Sequence, residues 1–108
     1  MSYLFQCTGT LVYSELDNPY ETVKTYLNRE PEGWVIKSYI SEHGPEGGSS
    51  WRGIFLDEEN WARFEAAAGE NGEAFLRKYL KEKRHYGLWA VNHFLDTHQI
   101  PYTSKSAW

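Results

Sequence analysis

The sequence predicts an α+β fold: a four-stranded, curved antiparallel sheet followed by C-terminal helices. Three observations carry this. The first half is rich in aromatic and β-branched residues broken by short turn signals, the second half has apolar residues at helical spacing, and the connections between strands are too short for parallel crossovers. The chain has 108 residues, enough for one hydrophobic core. Residues 1–101 are expected to form a single domain, and 102–108, polar with one terminal ring, to form a flexible tail.

The first strand is placed at about 2–13, where Tyr3 to Tyr13 is aromatic and β-branched with Gly9 as a bulge candidate. Ser14 to Pro19 reads as a polar loop, with Asp17-Asn18-Pro19 as its turn signal. The second and third strands, about 22–29 and 34–42, flank Glu30-Pro31-Glu32-Gly33 and form a hairpin. His43 to Ser50, rich in Gly and Ser, leads to a fourth strand at about 50–56.

Helices are expected at about 58–68, 72–85 and 88–98. Asp57 suits an N-cap, and Glu58 and Glu59 place negative charge in the first turn, where the helix dipole favours it. Trp61, Phe64 and Ala68 share one face, and Gly69 is a natural stop. Phe75, Leu76, Tyr79 and Leu80 form the second apolar stripe; Leu88, Val91, Leu95 and His98 mark the third, closed by Pro101.

Composition bounds the function. Five Trp, eight Tyr and five Phe make 17% of the chain aromatic, while the formal charge is −4. That charge is segregated: residues 1–72 carry 5 basic against 12 acidic side chains, and residues 73–108 carry 6 against 3. An acidic balance argues against strong phosphate binding, whereas rings outside the core would favour stacking on bases. No apolar run approaches the ~20 residues that span a bilayer. The N-terminus lacks the basic and long apolar regions of a signal peptide, and Cys7 is a lone cysteine expected as a packed thiol, so a cytoplasmic setting is expected.

No constellation for catalysis stands out. His93 and His98 are five apart, where ligands on one helical face need three or four, and a third ligand is not evident beside the His93–Asp96 pair. Nucleophile-elbow, P-loop and dinucleotide glycine patterns do not occur. Adjacent Glu58 and Glu59 point to different sides of a helix and make a poor acid–base pair. The expectation is a protein that is not an enzyme and has no cofactor or metal.

The candidate site lies on the strands. Lys24 and Tyr26 are two apart, as are Lys37 and Tyr39, so each pair faces one side of its strand. Cations beside rings on a sheet face are what a nucleic-acid single strand needs. Trp51, next to a Gly/Ser loop, is the best candidate for an exposed ring, and Arg52 follows it. Alternation puts Arg52 with Ile54 and Leu56 but Trp51 with Gly53 and Phe55, so at least one strand face is mixed. The plainer readings are core packing for Trp61, cross-strand packing for Tyr26 and Tyr39, and solvated strand charges for Lys37 and Arg52.

Ile36-Lys37-Ser38-Tyr39, a Gly/acid turn, Arg52-Gly53-Ile54-Phe55-Leu56 and Asp57-Glu58-Glu59-Asn60-Trp61 together resemble the core of the transcriptional positive cofactor four family of single-stranded-DNA-binding coactivators. The resemblance spans about residues 22–66. It implies a curved antiparallel sheet followed by a helix, related to the Whirly and Pur-alpha folds, and a homodimer joined through its helices. By position it assigns Lys24, Lys37 and Arg52 to the family's basic strand positions, Tyr39 to the strand aromatic and Trp61 to the helix Trp. The chain departs from the family at Trp51, where a basic residue is usual, in the acids Glu42 and Glu46 of the turn, and in its longer helical part.

Two function classes follow. The first is a non-catalytic binder of single-stranded DNA, or of chemically similar RNA, acting in transcription, replication or recombination through Lys24, Tyr26, Lys37, Tyr39, Trp51 and Arg52. The second is an acidic protein-interaction module, of inhibitor or immunity type, that covers a basic protein partner. Its basis is the acidic first half and the wealth of Trp and Tyr, residue types enriched at binding hot spots.

Overall fold

The computed structural model describes residues 9–18, 21–42, 49–83 and 87–107. These residues form five antiparallel strands and three helices: β1 (Thr10–Asn18), β2 (Glu21–Glu30), β3 (Gly33–Glu42), β4 (Ser49–Asp57), α1 (Glu58–Ala68), α2 (Gly72–Glu82), α3 (Leu88–Thr97) and β5 (Thr103–Ala107). The sheet order is β1-β2-β3-β4-β5, so the chain leaves β4 through all three helices and returns to pair beside it. The α+β class, with the helices following the first four strands, is as expected.

Two elements differ from the sequence expectation. The segment expected as a tail, 102–108, supplies β5, which pairs from Trp51↔Ala107 to Phe55↔Thr103. Its polar residues carry no alternation, so nothing in the pattern marks a strand. The backbone of β4 supplies the pairing, and Ile100 and Tyr102, packed on the core, bring the chain there. The second difference is β1. The expected loop from Ser14 continues as strand to Asn18, paired with β2 through Ser14↔Lys24 and Leu16↔Thr22. Polar residues are poor strand formers, but on an edge the ladder offered by a ten-residue β2 overrides that preference. Register shifts at Leu11/Tyr13 and Leu16/Asn18 accommodate the longer strand. The expected strand portion 2–8, with Cys7, lies outside the described residues.

Directly opposed residues of an antiparallel ladder share a face. Leu27, Ile36 and Ile54 stand opposite one another across β2, β3 and β4. They form one core with Val12, Leu56, Trp61, Phe64, Leu76, Leu80, Leu88, Val91, Leu95 and Ile100, so the three helices cover this face. The helix ends follow their sequence signals. The Asp57 side chain accepts a hydrogen bond from the Asn60 N–H at 2.8 Å, capping α1, which stops at Gly69 in a left-handed conformation. Asn71 caps α2 by accepting from the Glu73 and Ala74 N–H groups. Among the described residues, no helix is long and apolar enough to cross a membrane.

Candidate nucleic-acid interface

The register fixes which candidate residues meet. Lys24 stands opposite Tyr39, and Tyr39 opposite Trp51, forming a row across β2, β3 and β4. The next row is Tyr26, Lys37 and Gly53. Both rows lie on the face opposite the one that the helices cover. The sheet therefore brings five of the six sequence candidates together. Arg52 is not among them. It sits opposite Ser38, in the row of the buried Thr25–Ser38 hydroxyl pair, on the helix side. Alternation forces this: neighbours on a strand point to opposite faces, so Trp51 and Arg52 cannot share one.

The side chains differ in their settings. Lys24 and Arg52 are exposed, while Tyr26, Tyr39 and Trp51 are half-buried. Tyr39 and Trp51 pack with ring centroids 4.6 Å apart and planes tilted by 34°. Trp51 is thus a supported ring rather than a free-standing one. Lys37 is fully buried, at 0% exposure, with its Nζ 5.9 Å from the Trp51 ring centroid. At that distance the ammonium and the indole attract through the ring quadrupole. Lys37 therefore holds Trp51 from within the protein and does not present a surface cation. Gly53 beside it keeps the row low: a Cβ there would lie 4.0 Å from both Lys37 Cβ and Val35 Cγ1.

Such a surface offers an aromatic platform of two packed rings with Lys24 as an exposed cation at its end. Adjacent strands are ~4.8 Å apart, so successive rings across a sheet are spaced on the scale of stacked or slightly stretched bases. Among the described residues of this face, no nucleophile is paired with a base and no two carboxylates converge on one point.

Trp61 is in the core, as its apolar helical face suggests. It stacks on Trp34 with centroids 4.7 Å apart and also meets Phe64. The sequence reading missed what surrounds that pair. Arg29, opposite Trp34 in the β2–β3 hairpin, lays its guanidinium over the Trp34 ring and forms an ion pair with Glu58. The signal was the short Pro31-Glu32 turn, which fixes the hairpin register and so puts Arg29 beside Trp34. Comparison of the chain with protein-family models, curated proteins and solved structures finds no match.

Proposed function

We propose that this chain is a non-catalytic single-stranded-nucleic-acid-binding protein, acting in transcription, replication or recombination, with its interface on the sheet face away from the helices. The observation that carries this reading is the cross-strand row of Lys24, Tyr39 and Trp51. The two rings would take bases by stacking, worth ~1–3 kcal/mol per base and tolerant of sequence. Lys24 would take a phosphate at the β2 end, and Lys37 would act indirectly by supporting Trp51. Arg52, on the other face, is left out. The resemblance to the positive cofactor four family supports this surface at Lys24 and Tyr39 but not at Arg52, and adds a homodimer through the helices. Trp89, 68% exposed on α3, is a large apolar side chain that such a contact could cover.

With a net charge of −4, the affinity is expected to be modest and strongly salt-dependent. The test is a titration of fluorescein-labelled oligo-dT, followed by anisotropy and by quenching of Trp fluorescence. Binding at about 50 mM salt that weakens as salt rises supports the proposal. No binding at roughly tens of micromolar protein in that low-salt buffer would remove it.

A further inference from the structure

On the helix side of the sheet, away from the ring row, lies a cleft of about 630 Å³ lined by Leu27, Arg29, Trp34, Glu58, Trp61, Glu65, Asn71 and Glu73. Three carboxylates face a single cation in this lining. Its aromatic wall is the Trp34–Trp61 stack, and the Arg29 guanidinium lies 5.1 Å from the Trp34 ring centroid while pairing with Glu58. A guanidinium bound between an indole and a carboxylate is thus already present, supplied by the chain itself. Each carboxylate also has capacity left. Glu65 accepts from the Gly72 N–H through Oε2, and Glu73 accepts from Arg77 through Oε2, whereas a carboxylate offers about four acceptor positions.

We propose that this cleft receives an arginine side chain from a partner protein with a basic surface. The planar guanidinium suits the site better than an ammonium, because it can stack on indole and meet a carboxylate through two N–H groups at once. Arg29 competes with the incoming side chain for the Trp34 face and for Glu58. The proposal does not depend on the nucleic-acid reading, which uses the opposite face. It would make the chain an adaptor with a nucleic acid on one side and a basic protein on the other.

The competition by Arg29 gives the test a sign that a merely structural role would not produce. The full-length chain is titrated with the peptide acetyl-Gly-Arg-Gly-amide, and separately with the same peptide carrying neutral citrulline. The Trp34 and Trp61 indole N–H signals are followed by NMR. The arginine peptide is expected to shift both signals and citrulline to shift neither. Glu73→Gln should weaken binding about two- to fivefold, the size of an exposed charge pair, while Arg29→Ala should tighten it by a similar factor. Arg29→Gln serves as the second variant if Arg29→Ala lowers the melting temperature. Equal shifts from both peptides, no shift in the native chain or either Arg29 variant, or weaker binding in both Arg29 variants would overturn the proposal. Failure to bind oligo-dT would leave it untouched.

Discussion

Tyr39 and Trp51 face each other across β3 and β4, with ring centroids 4.6 Å apart, and the buried Lys37 ammonium lies 5.9 Å from the Trp51 ring. If bases stack on this platform, Trp51→Ala should lower oligo-dT affinity by ~1–3 kcal/mol, and Trp51→Phe should keep much of it. Paired anisotropy titrations of the three proteins, each checked for an unchanged fold, measure the difference.

Lys24 and Arg52, both exposed and both on strands, separate position in the fold from position in the sequence motif. Lys24→Ala should weaken binding and flatten the salt dependence by about 0.7 in log–log slope, the value for one phosphate contact on a single strand. Arg52→Ala should leave both nearly unchanged, because Arg52 lies on the helix face. Equal losses from the two variants would contradict the register-based assignment. The measurement is the affinity of each variant across a salt series.

Gly72 begins α2 against the indole of Trp61, where a Cβ would stand 2.3 Å from Cζ2 and 2.6 Å from Cη2. Gly72→Ala is therefore expected to cost ~1–3 kcal/mol, since the Trp34–Trp61 stack must shift to admit a methyl group. Gly69 makes the contrast: its φ is 76° and no atom lies within 4 Å of a built Cβ. Gly69→Ala should cost about 1–2 kcal/mol through backbone strain alone, leaving the near-ultraviolet signal of the Trp pair intact. Thermal melts with near-ultraviolet circular dichroism distinguish the two mechanisms.

Burial raises the pKa of the Tyr79 phenol, with the Glu82 carboxylate adding to the effect. Burial also raises Tyr102, aided by its hydrogen bond to Asp96 and the charge of that carboxylate. A phenol whose folded-state pKa is raised stays protonated in the fold while the unfolded chain ionises near pH 10. Its contribution to stability is therefore fully present below about pH 10 and is lost as pH rises through the folded pKa. Melting temperatures should accordingly fall more steeply above about pH 10. Tyr79→Phe should soften that fall, while losing about 1 kcal/mol at neutral pH with the hydrogen bond to the Ala90 carbonyl.

Much of the fold was legible because local signals and tertiary demands agree. The Pro31-Glu32 turn, the Asp57 cap, the Gly69 stop and the helical stripes each fix an element, and the observed strands and helices from residue 21 to 97 begin and end close to the expected places. Thr103–Ala107 was not legible, because a polar edge strand is specified by the neighbour it pairs with rather than by its own pattern. Ser14–Asn18, largely polar and on the edge beside β2, carries no strand pattern for the same reason. At the candidate site, period-two alternation correctly put Lys24 with Tyr26 and Lys37 with Tyr39. It could not show that Lys37 is buried beside Trp51, because the depth of a side chain depends on what stands in the neighbouring strands. The cleft at Arg29, Trp34 and Glu58 joins residues from a hairpin and a helix start, so no short motif marks it.

The central claim is that a nucleic-acid single strand lies on the sheet face that carries Lys24, Tyr39 and Trp51. Mapping NMR chemical-shift changes along the isotope-labelled chain during an oligo-dT titration tests it most directly. The expected result is a set of shifts concentrated at the Trp51 indole N–H and the Lys24, Tyr39 and Gly53 amides, with Trp61 and the Arg52 side chain little changed. Shifts confined to α2 and α3, or a saturating titration that leaves Trp51 unmoved, would contradict it.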